Sequence, residues 1–575
     1  MNAMEYGALV DVYDRLAATD SNNEKRDMLA AVFEDAGEML PRLVTLVRGR
    51  LSPAYDRTDL GVSSSLTLDA ILRATGAPEN AVREHWKQSG DLGDAAAWAV
   101  ENGGQQTLFS SPLTVERVHD DLRELATYEG AGSQDRKIDA LAGQLADADA
   151  NEARYVVRTA LGHMRVGVGE GTIRDAIAYA FLDGSEEAIR AVEWAFQVTT
   201  DFRVVAETAR DDGQAGLNTL DVELFRPVQV MLAEKAESLT AGLSDAAHDG
   251  RALCEYKYDG IRIQIHVGGE EVRLFTRRLE DVTEQFPDVV RAVREGVSAN
   301  RVVLDGELVG YTPDTITTDT RDPVAFQQLS QRVKRESDIE VMARQVPTVV
   351  HLFDCLAESE TVLEAPLSER LEHLDAAFEA VDPDPDGVMA GLERSRSSWV
   401  TAEDPGPAEE LYREALDAGH EGLMTKNPGA AYQPGRRVGR LLKLKPTMES
   451  LDLVVTRAKY SEGRRSEWLG RLYLGCYDPS SDSFREVGRL STGYTDEELA
   501  SLTDRLEGLI TARDGRDVDL RPEVVLEVEY EEIQESPEYD SGYALRFPRF
   551  LEVRTDLEPT DADSIERVDD LYDSQ

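Results

Sequence analysis

The sequence predicts a multidomain α+β protein in three parts: an all-helical first part, an antiparallel α+β centre and a small β-barrel at the end. Three observations carry this. Apolar residues recur at helical spacing up to about residue 220. After Pro227 the pattern changes to short runs rich in Val, Ile and Tyr. About 130 residues of short strands then follow Pro446, a length that suits a small barrel. At 575 residues the chain is too long for one core, and 41% hydrophobic with 30% charged residues is enough to pack several. The divisions fall at 1–220, 221–446 and 447–575.

Helices are expected over Ala8–Leu16, Met28–Leu43, Val115–Leu125 and Ile173–Phe181, with breakers at Gly61–Ser65 and Gly103–Gly104. "GVGEGT" (Gly167–Thr172) looks like a dinucleotide loop, but no strand precedes it. It reads better as a helix start capped by Thr172, whose free N–H groups could hold a phosphate. In the centre, "LCEYKYDGIRIQIHV", "EVRLFTRR", "RVVLDGELVGY" and "PTVVHLFDCL" read as strands. They are antiparallel, because turns such as Gly268–Gly269 are too short for a helical crossover. The last part shows strands at "LDLVVTRAKY", "GRLYLGCYD", "FREVGRLS" and "VVLEVEYEEI", with a helix over Asp496–Leu509.

Composition excludes several classes. No stretch reaches the roughly 20 apolar residues of a membrane span, and Met1 to Asp11 lacks the marks of a signal peptide. Cys254, Cys355 and Cys476 are odd in number and far apart, which excludes a disulfide framework and favours a cytoplasmic protein. The eight histidines form no ligand-spaced cluster. The formal net charge of −49 is spread along the chain, and only ten of the 62 cationic residues are lysines. Such an excess argues against a nucleic-acid partner at face value. Its even spread instead points to adaptation to a salty, halophilic cytoplasm, where screening makes self-repulsion tolerable.

Chemistry concentrates around Lys257. Alternation places Ile261, Ile263, Ile265 and Val267 on one face, and Glu255 and Lys257 together on another, before an Asp259–Gly260 turn. A lysine becomes a nucleophile only where burial or neighbouring cations disfavour its ammonium. A surface hairpin lysine is the bland alternative. "KYDGIR" (Lys257–Arg262) matches the KxDGxR nucleophile motif, and its companions follow in order. "FTRRLEDVT" holds Arg277, "LDGEL" Glu307, "HLFDCL" Phe353 and Asp354, "EGLMTK" Glu421 and Lys426, and "LLKLKP" Lys443 and Lys445. Six ordered matches exclude coincidence.

In these motifs the chain resembles the covalent nucleotidyltransferases and, in its three-part layout, the ATP-dependent DNA ligases of the archaeal and eukaryotic type. "HMRVGVGEGTIRDAIAYAF", "LFRPVQVMLAEKA" and "LRFPRFLEVRTDLEPTDADSIERV" extend the likeness along the chain. The resemblance implies a helical DNA-binding domain, a nucleotidyltransferase domain and an oligonucleotide-binding (OB-fold) barrel. It implies nick sealing in double-stranded DNA with ATP, serving replication, repair and recombination. Lys257 would carry AMP, and Glu307 and Glu421 would hold Mg²⁺, with Mn²⁺ as a substitute. Phe353 would stack on adenine and Glu255 would read it; Arg262, Arg277 and Arg437 would contact ribose and phosphate. For the last of these, Arg436 and Arg440 are rivals in "GRRVGR". Lys443 and Lys445 would face the α-phosphate, with Lys426 as a further phosphate contact. Arg546 and Arg549 of "RFPRF" resemble the barrel residues that engage the β- and γ-phosphates.

"QQTLFSSPL" resembles the family's sliding-clamp docking peptide, with Gln105, Leu108 and Phe109 as its contacts and Leu108 where an aromatic is usual. A monomer is expected. An RNA ligase or capping enzyme would share the lysine chemistry but lacks the long helical part. A scaffold that only binds DNA or a clamp would have no use for Lys257, Glu307, Glu421 and Lys443 together.

Overall fold

The computed structural model describes residues 4–573, apart from 57–59, 104–110, 131, 319, 336, 402, 447–449, 462–464 and 466. The chain forms two compact units, Met1–Lys445 and Pro446–Gln575.

The first unit opens with helices from Tyr6–Ala17 to Phe202–Leu217. Their starts are fixed locally: Ser21, Ser63, Thr114 and Ser185 each accept a backbone N–H three residues on, and Asp149 and Glu152 cap one helix reciprocally. Their apolar stripes merge into one core that includes Tyr6, Leu9, Phe33, Tyr155 and Ile173. The single helix expected over Met28–Leu43 is two helices, Asn22–Glu34 and Leu40–Leu46, separated by a 3₁₀ turn. Gly37 takes a φ of +53° there, and Pro41 starts the second helix where its missing N–H costs nothing. Thr172 is not a cap. The helix Glu170–Phe181 begins before it, from Gly169, and Glu170 places a carboxylate where the helix dipole favours one.

Eleven strands follow among the described residues: β1 Leu232–Lys235, β2 Arg251–Lys257, β3 Ile261–Gly268, β4 Glu271–Thr276, β5 Arg301–Gly310, β6 Thr348–Glu358, β7 Glu360–Thr361, β8 Gly391–Arg394, β9 Ser397–Thr401, β10 Gly422–Lys426 and β11 Arg437–Leu444. They make two sheets, ordered β1-β11-β10-β2-β9 and β4-β3-β5-β6-β7, with β8 beside β6. Most pairs are antiparallel as expected, but β1–β11 and β6–β8 are parallel. Each sheet has one apolar face. Cys254, Leu423 and Leu442 cluster beside the helices Leu239–Ala246 and Gly406–Asp417. Ile263, Ile265, Leu304 and Leu352 form a second core with the helices Pro287–Gly296 and Leu367–Ala377. Alternation then sends the polar residues of both sheets to their other faces.

The division expected at residue 220 lies inside this unit. Val198 of the helical part shares an apolar cluster with Val228, Met231, Val303 and Leu356, and the Gln229 N–H donates to the Gln197 carbonyl at 2.9 Å.

The second unit holds β12 Leu451–Lys459, β13 Arg471–Asp478, β14 Ser483–Leu490, β15 Ile510–Asp514, β16 Asp517–Leu520, β17 Val525–Glu529, β18 Glu532–Glu535, β19 Tyr543–Arg546 and β20 Arg549–Arg554, with helices Asp496–Glu507 and Ile565–Asp573. The terminal helix was not foreseen. β12 bends at a bulge after Val455, so its first half pairs with β17 and its last residues with β16. This curls the sheet as a small barrel requires. The ladders of the described residues nevertheless do not close: β18 and β19 form a separate hairpin, and Gly488 of β14 meets Leu545 of β19 through packing. No helix among the described residues is long and apolar enough to cross a membrane.

Candidate active site

The polar faces of the two sheets of the first unit supply the residues singled out by sequence. On one, Glu255 and Lys257 of β2 stand opposite Met424 and Gly422 of β10, and Met424 stands opposite Lys443 of β11. Cross-strand partners share a face, so Glu255, Lys257, Lys426 and Lys443 all project the same way. On the other sheet Arg262, Glu307 and His351 form a row across β3, β5 and β6. Gly260 lets the chain pass between the two. A Cβ there would lie 2.4 Å from the Leu308 carbonyl oxygen and 3.0 Å from Glu307 Cγ, so the motif glycine permits the close approach of the turn to β5.

Lys257 ends β2 with its ammonium paired to Glu421. The Glu421 N–H donates to the Lys257 carbonyl at 2.9 Å, and Lys445 Nζ lies 3.1 Å from Glu421 Oε2. Burial alone would raise the Glu421 carboxyl, but Lys257 and Lys445 together hold it below its ordinary value. Glu307 behaves oppositely. Desolvation pushes its carboxyl up to about 8; Lys257 and Arg262 oppose this, while the nearby Glu421 and Asp305 reinforce it. Two carboxylates close enough to repel are a fitting donor set for a hard divalent cation. Among the described residues no cluster of three metal-type donors exists, so substrate oxygens or water would complete the shell.

At the other end of the face Glu255 is buried and paired with Lys426, and Arg394 stands 3.7 Å away. Its Oε1 nevertheless has no hydrogen-bond partner. Lys426 Nζ sits 4.4 Å from the Phe353 ring centroid and the Arg262 guanidinium 5.4 Å from it. Phe353 is in place because β6 bulges between its partners Asp305 and Gly306, leaving Phe353 unpaired. Lys426 therefore lies at the Glu255 end, apart from the Lys257–Lys445 cluster. Arg262 is forked onto Asp305 at 2.7 and 3.1 Å and also donates to the Met231 carbonyl at 2.7 Å. Burial alone would lower its pKa, but Asp305 raises it above the ordinary arginine value, so it stays a fixed cation.

The other expected residues are more peripheral. Arg277 follows β4 and is exposed; Arg437 opens β11 and is exposed; its rival Arg436 is paired with Glu193 of the helical part. In the second unit Arg546 pairs with Glu532 at 2.9 Å, while Arg549 is 62% exposed with Glu529 3.6 Å away. Gln105, Leu108 and Phe109 lie outside the described residues.

Sequence reasoning missed Asp305 and Tyr432. The Tyr432 hydroxyl donates to Asp305 at 3.0 Å and accepts from the Met231 N–H at 3.0 Å, fixing the Arg262 fork. Asp305 was reachable, two residues before Glu307 on the same strand face; nothing local marks Tyr432.

Three family models match the chain: the ATP dependent DNA ligase domain over residues 230–445, the DNA ligase N terminus over 5–178, and the ATP dependent DNA ligase C terminal region over 465–557. A DNA ligase of Haloarcula marismortui is 42% identical over all of both chains. One of Thermococcus fumicolans is 40% identical over 99% of this chain and 98% of its own. The solved chain "Pmar-Lig_PreS3" shares the fold, with a TM-score of 0.57 at 17% identity over 95% of this chain and 99% of its own. With all three parts matched in order and relatives aligned from end to end, the chain belongs to the ATP-dependent DNA ligase family.

Proposed function

We propose that Lys257 is the residue through which this ligase carries AMP as it seals nicks in duplex DNA. Its Nζ, once deprotonated, attacks the α-phosphorus of ATP: an N–P bond forms and the bond to pyrophosphate breaks. An oxygen of the 5′-phosphate at the nick then attacks the same phosphorus and releases the lysine. Finally the 3′-hydroxyl attacks the 5′-phosphorus, the phosphodiester forms and AMP leaves. Such steps rest on positioning and charge neutralisation. A divalent cation, Mg²⁺ with Mn²⁺ as substitute, would be held by Glu307 and Glu421 and would neutralise phosphate oxygens when bound.

Lys443 and Lys445 bring positive charge to the α-phosphate, and Arg262, Arg277 and Arg437 to ribose and phosphate. Adenine suits the far end. Its exocyclic amine can donate to the unpartnered Glu255 Oε1, and Phe353 supplies an aromatic face. Guanine would present an acceptor to the same carboxylate. Lys426 lies beside both residues, paired with Glu255 and over the Phe353 ring. Arg546 and Arg549 serve the β- and γ-phosphates. The functional domains run 1–220, 221–446 and 447–575; the enzyme works as a cytoplasmic monomer, and Gln105, Leu108 and Phe109 dock a sliding clamp.

The observation that carries this reading is Lys257 paired to Glu421, with Glu307 close enough to feel both charges. The test is incubation with α-labelled ATP and Mg²⁺, then peptide mapping. Label on Lys257 is expected; label on another residue, or none, overturns the assignment.

A further inference from the structure

Each of the three residues at the reacting centre has an aromatic ring directly beside it. Tyr258 follows Lys257 in the chain, His420 precedes Glu421, and His351 of β6 is the ladder partner of Glu307. These rings pack into one buried cluster. Tyr258 lies face to face with His351, centroids 3.9 Å apart and planes 14° apart, and edge-on to His420 at 4.7 Å and 68°. The cluster is anchored from behind. Tyr311 Oη is 2.9 Å from His351 Nε2, Glu393 Oε1 is 3.1 Å from His351 Nδ1, and Arg321 holds Glu393 at 3.0 Å. The Arg396 N–H donates to the Tyr258 hydroxyl at 3.0 Å.

Tyr258 and His420 belong to the ends of β2 and β10, in one sheet, whereas His351 belongs to the other. At the Glu255 end Lys426 of β10 meets the Phe353 ring of β6; at the Lys257 end the aromatic stack makes the contact between the sheets. We infer that the Tyr258–His351–His420 stack is a positioning device that holds Lys257 in register with Glu307 and Glu421 across the two sheets. Aromatic stacking is directional, so it resists the sliding that aliphatic contacts permit.

This inference rests on Lys257 being the AMP carrier. In Tyr258→Leu, self-adenylylation at saturating ATP should slow by about tenfold or more, the expected scale for a misplaced reacting group. The KM for ATP should stay within about twofold, and the label should still map to Lys257. Sealing of DNA supplied already adenylylated, which does not use Lys257 as carrier, should slow far less. Tyr258→Phe, which keeps the ring, should restore the first step to near wild type. His351→Asn removes the stacking partner instead and should show the same selective loss, which covers the case in which Tyr258→Leu does not fold. Wild-type adenylylation in these variants, or equal slowing of both steps in parallel with a fall in Tm that phenylalanine does not repair, overturns the inference. Wild-type label on a residue other than Lys257 overturns the carrier assignment instead.

Discussion

Lys257→Ala should reduce labelling by ATP by about 10³-fold or more, because the amine proposed to form the N–P bond is removed. It should still join a nick supplied with its 5′ end already adenylylated, where the carrier is no longer needed. Failure of both reactions would mean that Lys257 does more than carry AMP. His266 makes a separate prediction. Burial holds its imidazole down at about 3, with Arg301 and Arg273 adding to the effect, and its Nδ1 accepts from the Phe225 N–H at 3.0 Å. The folded state keeps it neutral, while the unfolded chain protonates it below its ordinary 6.5. Its contribution to stability is thus complete above pH 6.5 and is lost as pH falls toward 3. Chemical denaturation across that window should show a shallower loss for His266→Asn, which keeps an acceptor but cannot titrate. An unchanged slope would show that other groups set the acid limb. At this scale the sequence revealed residues that sit in motifs. Tyr432 and the Tyr258–His351–His420 stack did not show, because their meaning lies in contacts between segments far apart in the chain.

Strand positions in the centre and the end of the chain were readable because period-two alternation is local, and Ile261, Ile263, Ile265 and Val267 do share one core. Pairing was less readable. The parallel β1–β11 and β6–β8 ladders join segments some 200 and 40 residues apart, and no turn chemistry announces them. The bulge that frees Phe353 is a mismatch between two strands and leaves no mark on either alone. In the second unit, the segment between β19 and β20 carries a prediction. Phe547 takes a φ of +50° and is 63% exposed, so the backbone turns sharply between Arg546 and Arg549. Arg546 is already paired with Glu532, whereas Arg549 is largely solvated and available to a phosphate. If the pair engages the β- and γ-phosphates, Arg549→Ala should slow self-adenylylation more than the final sealing step, by about tenfold for one lost charge-assisted contact. Equal slowing of the two steps would make this segment a DNA contact only.

For the molecule as a whole, a net charge of −49 sets the solvent it needs. At low ionic strength that charge repels both itself and the DNA phosphates. At 1 M salt the Debye length is about 3 Å and most of the long-range penalty is gone. Salt also weakens favourable pairs, so the two effects must be weighed. Exposed helix pairs such as Arg83–Glu79 and Arg190–Glu186 contribute only about 0.3–0.5 kcal/mol each, and with 111 acidic against 62 basic residues a large share of the acidic groups has no cation to lose. The buried pairs of the site, Arg262–Asp305 and Lys426–Glu255, are shielded from solvent ions and should persist. Relief of repulsion therefore wins. DNA binding pulls the other way, since counterion release favours low salt, but few phosphate contacts in an acidic protein give a shallow dependence. Folding stability and nick joining measured against KCl should both rise well beyond physiological ionic strength. The affinity for nicked DNA should fall less steeply with salt than for a basic binder. Best stability and joining below roughly 0.2 M KCl would refute this account of the charge.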